Sequence, residues 1–332
     1  MSRGFVPILY NQVNETSAPD EREVLDQVGM IARALSELGY TVTAQPVQGS
    51  TEDLRELLNS LQPLAPLFIF NLVEALNGEA KLSYLASDLY EKMQMKYTGC
   101  TAGTLQLTTD KILCKKRLEK LGIPTPAWVS LTEQRDFTAN QKYILKPIFE
   151  DASVGVSQNS LVIVQDIAEL RIELKQLEEN TGMPYFAERY IEGREINIPM
   201  MSDKGDIVVL PPSEIHFNGF EACQKERILD YNSKWQAGSF EYQNSVPSVH
   251  FDNADRSLME QLKAISIQCW RHIVLKGYTR YDYRVDSEGN PWLLEINANP
   301  CLSDHGAGFY LSAQAMGYSY TDLIQSLISE LV

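Results

Sequence analysis

The alternation of strand and helix patterns over roughly residues 1–95 restricts the possible folds of this chain more than any other feature. FVPILYN, TVTAQPV and LFIFNLVE have the apolar content of strands. EREVLDQVGMIARALSELGY and TEDLRELLNSL lie between them and place apolar residues at helical spacing. We expect the first helix to end at Gly39 and Thr51 to cap the second. This βαβαβ order predicts an open parallel sheet.

Strands dominate the sequence pattern from about residue 125 onward. YILKPIF, SLVIV and YFAERYI predict strands, and DIAELRIELKQLEENTG predicts one helix among them. Further on, IVVLPPSEIHF predicts strands, RSLMEQLKAISIQCWRHIVL a long helix and SYTDLIQSLISELV a final helix. The chain should therefore combine α/β and α+β architecture. No GxGxxG turn follows the first strand, which disfavours an NAD-binding domain.

The acidic composition limits the ligands that the chain can bind. Its 332 residues carry a formal net charge of −15, which argues against nucleic acid and anionic membranes as partners. An anionic ligand would need a local cluster of cations or metal ions. The length favours two or three domains. Five cysteines without a CxxC pair, and no apparent signal peptide or membrane-spanning segment, predict a cytoplasmic protein with reduced thiols.

A predicted hairpin near the C-terminus gathers oxygen ligands. RYDYRVD and PWLLEIN flank the turn SEGN, and a tip at Glu288 and Gly289 places Asp282 opposite Glu295. Asn297 lies two residues after Glu295 and so faces the same side of the strand. Mg²⁺ binds carboxylate and amide oxygens and keeps waters and phosphates as its other ligands. The hairpin therefore predicts a magnesium site; the alternative is an ordinary solvated strand end.

Two lysines and a loop of small residues suggest a phosphate site. Lys146 ends the apolar strand YILKPI, and Lys111 lies near the start of a helix. The loop EDASVGVS, which contains Gly155, follows Lys146 and can expose backbone N–H groups to phosphates. Each feature alone is compatible with a solvated lysine or an ordinary turn.

Taken in order, these segments resemble the ATP-grasp superfamily, specifically its D-alanine–D-alanine ligase branch. The matching segments are YTGC, TDKILCKKRLEKLGIPTPAW, LKPIFEDASVGVS, ERYIEGREI, DYNSKW, RYDYRVD, LLEINANP and GYSYTDLIQSLI. The resemblance implies a three-domain ATP-grasp fold with a Rossmann-like parallel sheet at the N-terminus. The domains would cover residues 1–112, 113–196 and 197–332, with ATP held between two of them. Family members often dimerise through the N-terminal domain, so a homodimer is a further expectation.

The resemblance also assigns roles to residues. Nucleotide contacts fall on Lys111, Lys146, Glu188, Arg189, Ile191 and Glu195. Within this set the two lysines would contact phosphates, the hinge that starts at Glu188 would bind adenine, and Glu195 would bind the ribose. Two Mg²⁺ ions, which Mn²⁺ could replace, would be held by Asp282, Glu295 and Asn297. Catalytic roles would fall on Arg280, Lys234 and Ser153. Arg280 would stabilise the tetrahedral intermediate, and Lys234 would close over the transferred phosphate.

The chain departs from the family where the first substrate's amino group would bind. The Gly-Gly-x-Ser-x-Glu loop after the first strand is missing, and its acidic anchor could be replaced by Glu15, Asp20, Glu21 or Glu23. Ala152 replaces a loop serine, and Trp235 replaces a tyrosine of the same network.

The acceptor side of the substrate pocket differs as well. Cys301 stands where the family has a glycine whose amide helps to form the oxyanion site, and Gly306 and Ala307 replace a Ser-Leu pair. His305 is either a surface turn residue or a contact to a substrate carboxylate. The nucleotide and metal residues are thus kept, while the dipeptide-substrate residues are changed.

Kept nucleotide and metal residues beside changed substrate residues predict an ATP- and Mg²⁺-dependent ligase with a role in natural product biosynthesis. It would phosphorylate a small carboxylate and couple it to the amine of an amino acid. Loop closure would protect the acyl phosphate from water. The first alternative resembles the ligases that join an amino acid to mycosporine-glycine, where a phosphorylated enol leads to an imine. The second is a genuine D-alanine–D-alanine ligase, and the third is a non-catalytic ATP-binding regulator.

Overall fold

The computed structural model describes residues 2–304 and 308–332, and its N-terminal part contains a parallel three-stranded sheet. The strands are β1 (Phe5–Asn11), β2 (Thr41–Val47) and β3 (Phe70–Leu72), in the spatial order β2-β1-β3. The helices between them are α1 (Pro19–Arg22), α2 (Val24–Glu37) and α3 (Thr51–Leu61). The parallel pairing confirms the sheet that the βαβαβ pattern predicts.

The predicted cap of α3 is wrong by one residue. Ser50 is the N-cap: its side chain accepts the N–H of Asp53 at 3.0 Å, and the Asp53 carboxylate accepts the N–H of Ser50 at 3.1 Å. This reciprocal pair satisfies two N–H groups that a helix start leaves unpaired. Thr51 is the first helical residue instead, because the matching acid lies three residues after Ser50.

Three helices lead from the N-terminal sheet into the centre of the chain. They are α4 (Tyr84–Lys92), α5 (Ala102–Thr109) and α6 (Lys111–Lys120). The Asp110 side chain caps α6 by accepting the N–H of Leu113 at 2.9 Å. A Pro-containing segment then runs into an antiparallel five-stranded sheet.

The central sheet has the order β5-β4-β8-β6-β7. Its elements are β4 (Trp128–Ser130), β5 (Gln134–Arg135), β6 (Lys142–Pro147), β7 (Leu161–Ile163), α7 (Ile167–Thr181) and β8 (Tyr185–Arg189). Leu170 and Leu174 of α7 are fully buried against strand residues such as Val129 and Tyr143.

The third sheet has six strands, with β10 paired to β9 beside the path β12-β11-β9-β13-β14. The strands are β9 (Arg194–Asp203), β10 (Asp206–Val209), β11 (Ser213–Phe217), β12 (Ser245–Ser248), β13 (Tyr278–Val285) and β14 (Pro291–Asn297). The helices are α8 (Tyr231–Trp235), α9 (Phe240–Asn244), α10 (Arg256–Ile273), α11 (Phe309–Ala315) and α12 (Tyr320–Leu327). Short 3₁₀ turns occur at Gln62–Leu64, Ala80–Leu82, Gln158–Ser160, Glu221–Cys223 and Asn253–Asp255.

The N-terminal sheet shares its core with the end of the chain. Leu323 and Ile324 of α12 are fully buried in the same cluster as Ile31 and Leu35 of α2. The predicted domain boundaries fall inside α6 and β9, and the division at those residues stays a prediction. No helix within the described residues is both long and apolar enough to cross a membrane.

Candidate active site

The β13–β14 hairpin brings the predicted metal ligands together. Asp286 closes the turn by accepting the N–H groups of Glu288 and Asn290. A bulge next to Asp282 shifts the register by one residue, so that Asp282 pairs directly with Glu295. The two carboxylates therefore lie on the same face of adjacent strands, as the hairpin pattern predicts.

Asp282 is surrounded by hydrogen-bond donors. Arg280 binds both of its oxygens at 2.7 Å, from Nε and from Nη2. Asn197 on β9 donates to Oδ1 at 2.6 Å, and Asn297 donates to Oδ2 at 2.9 Å. Burial opposes ionisation of Asp282, but the charge and hydrogen bonds of Arg280 outweigh it, so the pKa of this carboxyl group is lowered.

Glu295 has a different environment from Asp282. The nearest ion-pairing contact that reaches it is Lys111 Nζ at 3.8 Å. Burial raises the pKa of Glu295 even though Lys111 opposes this shift. A nearby divalent cation would relieve this cost, and the donor set of Asp282, Glu295 and Asn297 offers the hard oxygen atoms that Mg²⁺ prefers.

The protein alone supplies few metal ligands at this point. Among the described residues, no group of three or more His, Cys, Asp or Glu side chains is arranged to hold a metal ion. Two carboxylates and an amide fit an ion that takes its remaining ligands from water and substrate phosphates. The assignment of Asp282, Glu295 and Asn297 as metal ligands stays a prediction.

Lys111 connects the metal-ligand strands to the loop that follows β6. Its ammonium donates to the carbonyl oxygen of Glu150 at 2.6 Å and to Asp151 Oδ1 at 3.0 Å. Burial would lower its pKa, but Asp151 and Glu295 raise it by more. Lys111 is therefore a buried, charged group beside the carboxylates.

Lys146 and Glu188, which the resemblance assigns to phosphates and adenine, contact each other. Lys146 Nζ donates to Glu188 Oε2 at 2.6 Å, and Lys115 forms a second ion pair with Glu188 Oε1. Glu188 and Lys115 are each 1% exposed. Burial disfavours the charged carboxylate, but the two lysines outweigh it and lower the pKa of Glu188. A buried charge in this position requires both partners.

Glu195 and the hinge residues line the same cavity. Glu195 pairs with Arg284 at 2.9 Å. The Arg189 guanidinium lies 4.8 Å from the centre of the Trp292 ring, and Ile191 is almost fully buried. The cavity wall includes eleven of the predicted residues: Lys111, Lys146, Ser153, Glu188, Arg189, Ile191, Glu195, Lys234, Arg280, Asp282 and Glu295.

A loop closes over this cavity. Ser153 Oγ donates to the carbonyl oxygen of Leu229 at 2.6 Å, and Trp235 Nε1 donates to that of Ala152 at 2.8 Å. Gly155 has φ 72, and a Cβ there would lie 2.6 Å from the hydroxyl of Tyr185. The cavity measures about 90 Å³, well below the roughly 300–1,000 Å³ typical of small-molecule sites. With the loop in this position, the cavity has no room for an ordinary small-molecule ligand.

A much larger cleft, of about 1420 Å³, adjoins this cavity. Its wall includes Lys234, Trp235, Arg280, Glu295, Asn297 and Cys301 together with residues of the N-terminal sheet. Burial and the neighbouring charge of Arg280 lower the pKa of Lys234. The predicted contacts His305, Gly306 and Ala307 lie outside the described residues.

Three of the four candidate acidic anchors line the cleft: Asp20, Glu21 and Glu23. Asp20 accepts the hydroxyl of Tyr231 at 2.6 Å, and Glu21 accepts the N–H of Ala18 at the start of α1. Glu23 contacts Cys301, a residue predicted to lie on the acceptor side.

A hydrogen bond joins Glu23 to Cys301. The thiol of Cys301 donates to Glu23 Oε1 at 3.1 Å. Gln27 links the two segments further, by donating to Glu23 Oε2 at 2.8 Å and accepting the N–H of Leu302 at 3.0 Å. Burial raises the pKa of Glu23.

Sequence reasoning missed three polar residues in these walls, Asn197, Arg284 and Glu74, and also Lys115, the buried partner of Glu188. Lys115 lies one helical turn after Lys111, a spacing that places both on one face of α6. Asn197 lies two residues after Glu195 and so shares its face of β9. Both spacings could have identified these residues.

The three sheets and this arrangement of lysines, arginines and carboxylates define an ATP-grasp ligase. The family model described as the D-ala D-ala ligase C-terminus matches residues 118–329. Since this range is more than half of the chain, the protein belongs to the D-alanine–D-alanine ligase family. It is an ADP-forming ligase that makes carbon–nitrogen bonds and acts on small molecules, in a family that uses ATP and a divalent metal.

Individual relatives cover almost all of the chain. An uncharacterized protein, y4sG, of Sinorhizobium fredii is 29% identical over 303 residues, 90% of this chain and 85% of the relative. The D-alanine–D-alanine ligase of Aquifex aeolicus is 28% identical over 314 residues, 93% of this chain and 96% of that protein.

Solved structures agree on the fold. The D-alanine–D-alanine ligase of Bacillus anthracis complexed with ATP has a TM-score of 0.71 at 22% identity and covers 99% of this chain and 97% of its own. D-alanyl-alanine synthetase A of Vibrio cholerae has a TM-score of 0.74 at 14% identity, and the match covers 100% of this chain and 99% of that protein. The family resemblance and the fold class that the sequence predicts are thus confirmed.

Proposed function

We propose that this ligase transfers the γ-phosphoryl group of ATP to a small carboxylate and couples the acyl phosphate to an amine, with substrates other than two D-alanines. The observation that carries the proposal is a cluster of cations beside paired carboxylates. Lys111, Lys146, Lys234 and Arg280 line one cavity with Asp282 and Glu295. Phosphoryl transfer depends on charge neutralisation and in-line positioning, and these groups supply both.

In this proposal the smaller cavity binds the nucleotide. The hinge from Glu188 to Ile191 holds adenine, and Glu195 accepts the ribose hydroxyls. Lys111 and Lys146 neutralise phosphate oxygens; Lys146 then exchanges its contact with Glu188 for a phosphate, while Lys115 still neutralises Glu188. The loop that carries Ser153 closes over the phosphates and excludes water.

Asp282, Glu295 and Asn297 hold the divalent metal in this proposal, with Mg²⁺ as the ion, two ions per site, and Mn²⁺ as a substitute. When bound, the metal neutralises charge on the phosphate oxygens. Arg280 keeps its contact with Asp282 and stabilises the negative charge of the tetrahedral intermediate. Lys234, on α8, lines the same cavity and contacts the transferred phosphoryl group.

The proposed change of substrate rests on contacts of the altered residues. Trp235 binds the Ala152 carbonyl, where the family has a tyrosine and a serine. Cys301 binds Glu23 instead of leaving a glycine next to the metal strand. The cleft volume of about 1420 Å³ exceeds the roughly 300–1,000 Å³ of ordinary small-molecule sites. A cleft of this size has room for substrates larger than alanine.

The size of the cleft also favours a second candidate. A ring ketone such as mycosporine-glycine would fill it better than an alanine, and phosphorylation of its enol followed by amine attack would give an imine. Trapping with hydroxylamine separates the two reactions. An acyl phosphate reacts with hydroxylamine to give a hydroxamate, whereas an enol phosphate gives none.

The experiment uses the full-length protein with ATP, Mg²⁺ and a panel of amino acids and small carboxylic acids. We expect ADP formation that depends on one class of carboxylate, with a hydroxamate as the trapped product. ADP formation with a ring ketone and amine but no hydroxamate would support the imine reaction instead. Tight ATP binding without ADP formation under any condition would contradict both, and would favour a regulatory protein.

A further inference from the structure

Glu74 lies in the large cleft, at the carboxyl end of the parallel sheet, and the nucleotide and metal assignments do not use it. It follows β3 by two residues. Its backbone is braced by Asn11 at the end of β1: Asn11 Oδ1 accepts the N–H of Glu74 at 2.7 Å and that of Ala75 at 3.1 Å. Asn11 Nδ2 in turn donates to the carbonyl oxygen of Ala75 at 2.7 Å.

These hydrogen bonds fix the position of the Glu74 backbone. Asn11 of β1 makes three hydrogen bonds to the backbone of Glu74 and Ala75, which follow the paired strand β3, so Glu74 is held at the edge where both strands end. The side chain is accessible from the cleft, and Arg280, Glu295 and Asn297 line the same cleft. Open α/β sheets bind ligands at this carboxyl edge.

The charged side chains around Glu74 are acidic. Desolvation by the cleft walls raises its pKa to about 8, and Glu23, Asp151 and Asp20 add to this shift. With this pKa most of Glu74 is protonated near pH 7, and a cation from the substrate stabilises its ionised form. The same surroundings make it a stronger base than an ordinary glutamate.

The proposed ligase reaction needs such a group. An amine substrate is an ammonium ion near neutral pH, and its nitrogen has no free electron pair until one proton leaves. Cationic groups such as Lys234 and Arg280 on the phosphate side do not accept that proton. An acidic group on another part of the cleft wall can accept it.

We propose that Glu74 binds the ammonium group of the amine substrate and takes the proton that the nitrogen loses before it attacks the acyl phosphate. The inference rests on the proposed function. The nitrogen electron pair then forms the bond to the carbonyl carbon, and the bond from that carbon to the phosphate oxygen breaks. The leaving phosphate keeps the electron pair of that bond and receives the second nitrogen proton. The products are an amide, inorganic phosphate and protonated Glu74.

Two small nucleophiles that differ in charge near pH 7 provide the test, and comparing each variant with the wild-type protein cancels the higher intrinsic reactivity of hydroxylamine. Hydroxylamine is largely neutral near pH 7, whereas ammonia is present as ammonium. Both are supplied with ATP, Mg²⁺ and the carboxylate that supports hydroxamate formation. In Glu74→Gln we expect the ratio of amide from ammonium to hydroxamate to fall about 100-fold, a typical effect of losing a general base.

Asp26→Asn is the matched control, since Asp26 is exposed on the same cleft wall and has no assigned role. It should leave the ratio unchanged, and Glu74→Asp should lower the ratio less than Glu74→Gln. An unchanged ratio in Glu74→Gln would overturn the inference, and so would a wild-type protein that makes hydroxamate but no amide from ammonium. Absence of hydroxamate from the wild-type protein would contradict the proposed function instead.

Discussion

Arg280 and Asp282 form a two-pronged ion pair within a single strand, with both nitrogen–oxygen distances at 2.7 Å. The residues are two apart on β13, so their side chains share one face. Each is less than a tenth exposed. The pair couples the residue proposed to stabilise the intermediate to the residue proposed to bind the metal.

Asp282→Asn should therefore destabilise the protein as well as inactivate it. It removes the carboxylate charge and leaves the buried guanidinium of Arg280 without that partner. Loss of one member of a buried pair costs about 3 kcal/mol of unfolding free energy, which urea denaturation at pH 7 can measure. Stability equal to that of the wild-type protein would show that the pair contributes little in the absence of ligand.

Glu295→Gln should abolish turnover with little effect on folding. The change keeps the shape of the side chain but removes a proposed metal charge, so ADP formation should fall by about 100-fold or more. The matched control is Glu288→Gln at the exposed tip of the same hairpin, which should be fully active. An active Glu295→Gln variant with normal Mg²⁺ dependence would refute the metal assignment.

Lys115→Met should destabilise the protein because it leaves Glu188 with only Lys146 as a partner. Breaking a buried ion pair in this way costs about 3 kcal/mol, whereas replacing both members can be nearly neutral. The double variant Lys115→Met/Glu188→Gln should therefore recover most of the lost unfolding free energy. A double variant that is less stable than Lys115→Met alone would contradict this account of the three charges.

Glu74→Gln should change the pH dependence of stability. The pKa of Glu74 is raised in the folded protein from 4.5 to about 8, so the folded state binds more protons than the unfolded state between these values. Stability of the wild-type protein then falls as pH rises through this window, and the Gln variant escapes that loss. Thermal melting should show the variant more stable near pH 8 and equal to wild type near pH 4. If the stabilities of the variant and the wild-type protein differed equally at both pH values, Glu74 would have an ordinary pKa.

The sequence predicted those features that have a regular period. The βαβαβ alternation led to the parallel sheet, and the hairpin pattern led to Asp282 opposite Glu295, although a bulge that the pattern does not reveal sets this register. The cap at Ser50 and the ion pairs of Glu188 depend on side-chain contacts that a period does not reveal. Short polar elements such as α8 and α9 carry too few apolar residues for a pattern.

The substrate side of the site was the least predictable from sequence. Four acidic residues were candidates for the anchor, and only the folded chain brings Glu23 to Cys301, which is distant in sequence. Glu74 has no neighbouring motif and enters the cleft only because β3 pairs with β1. Contacts of this kind arise from tertiary packing, which local sequence patterns do not encode.

The most direct test of the central claim is a product analysis. The full-length protein is incubated with ATP, Mg²⁺ and an equimolar mixture of D-alanine and other amino acids and carboxylic acids, and the products are identified by mass spectrometry. We predict ADP together with a condensation product that is not the D-alanine dimer. D-alanyl-D-alanine as the main product would contradict the altered substrate pocket.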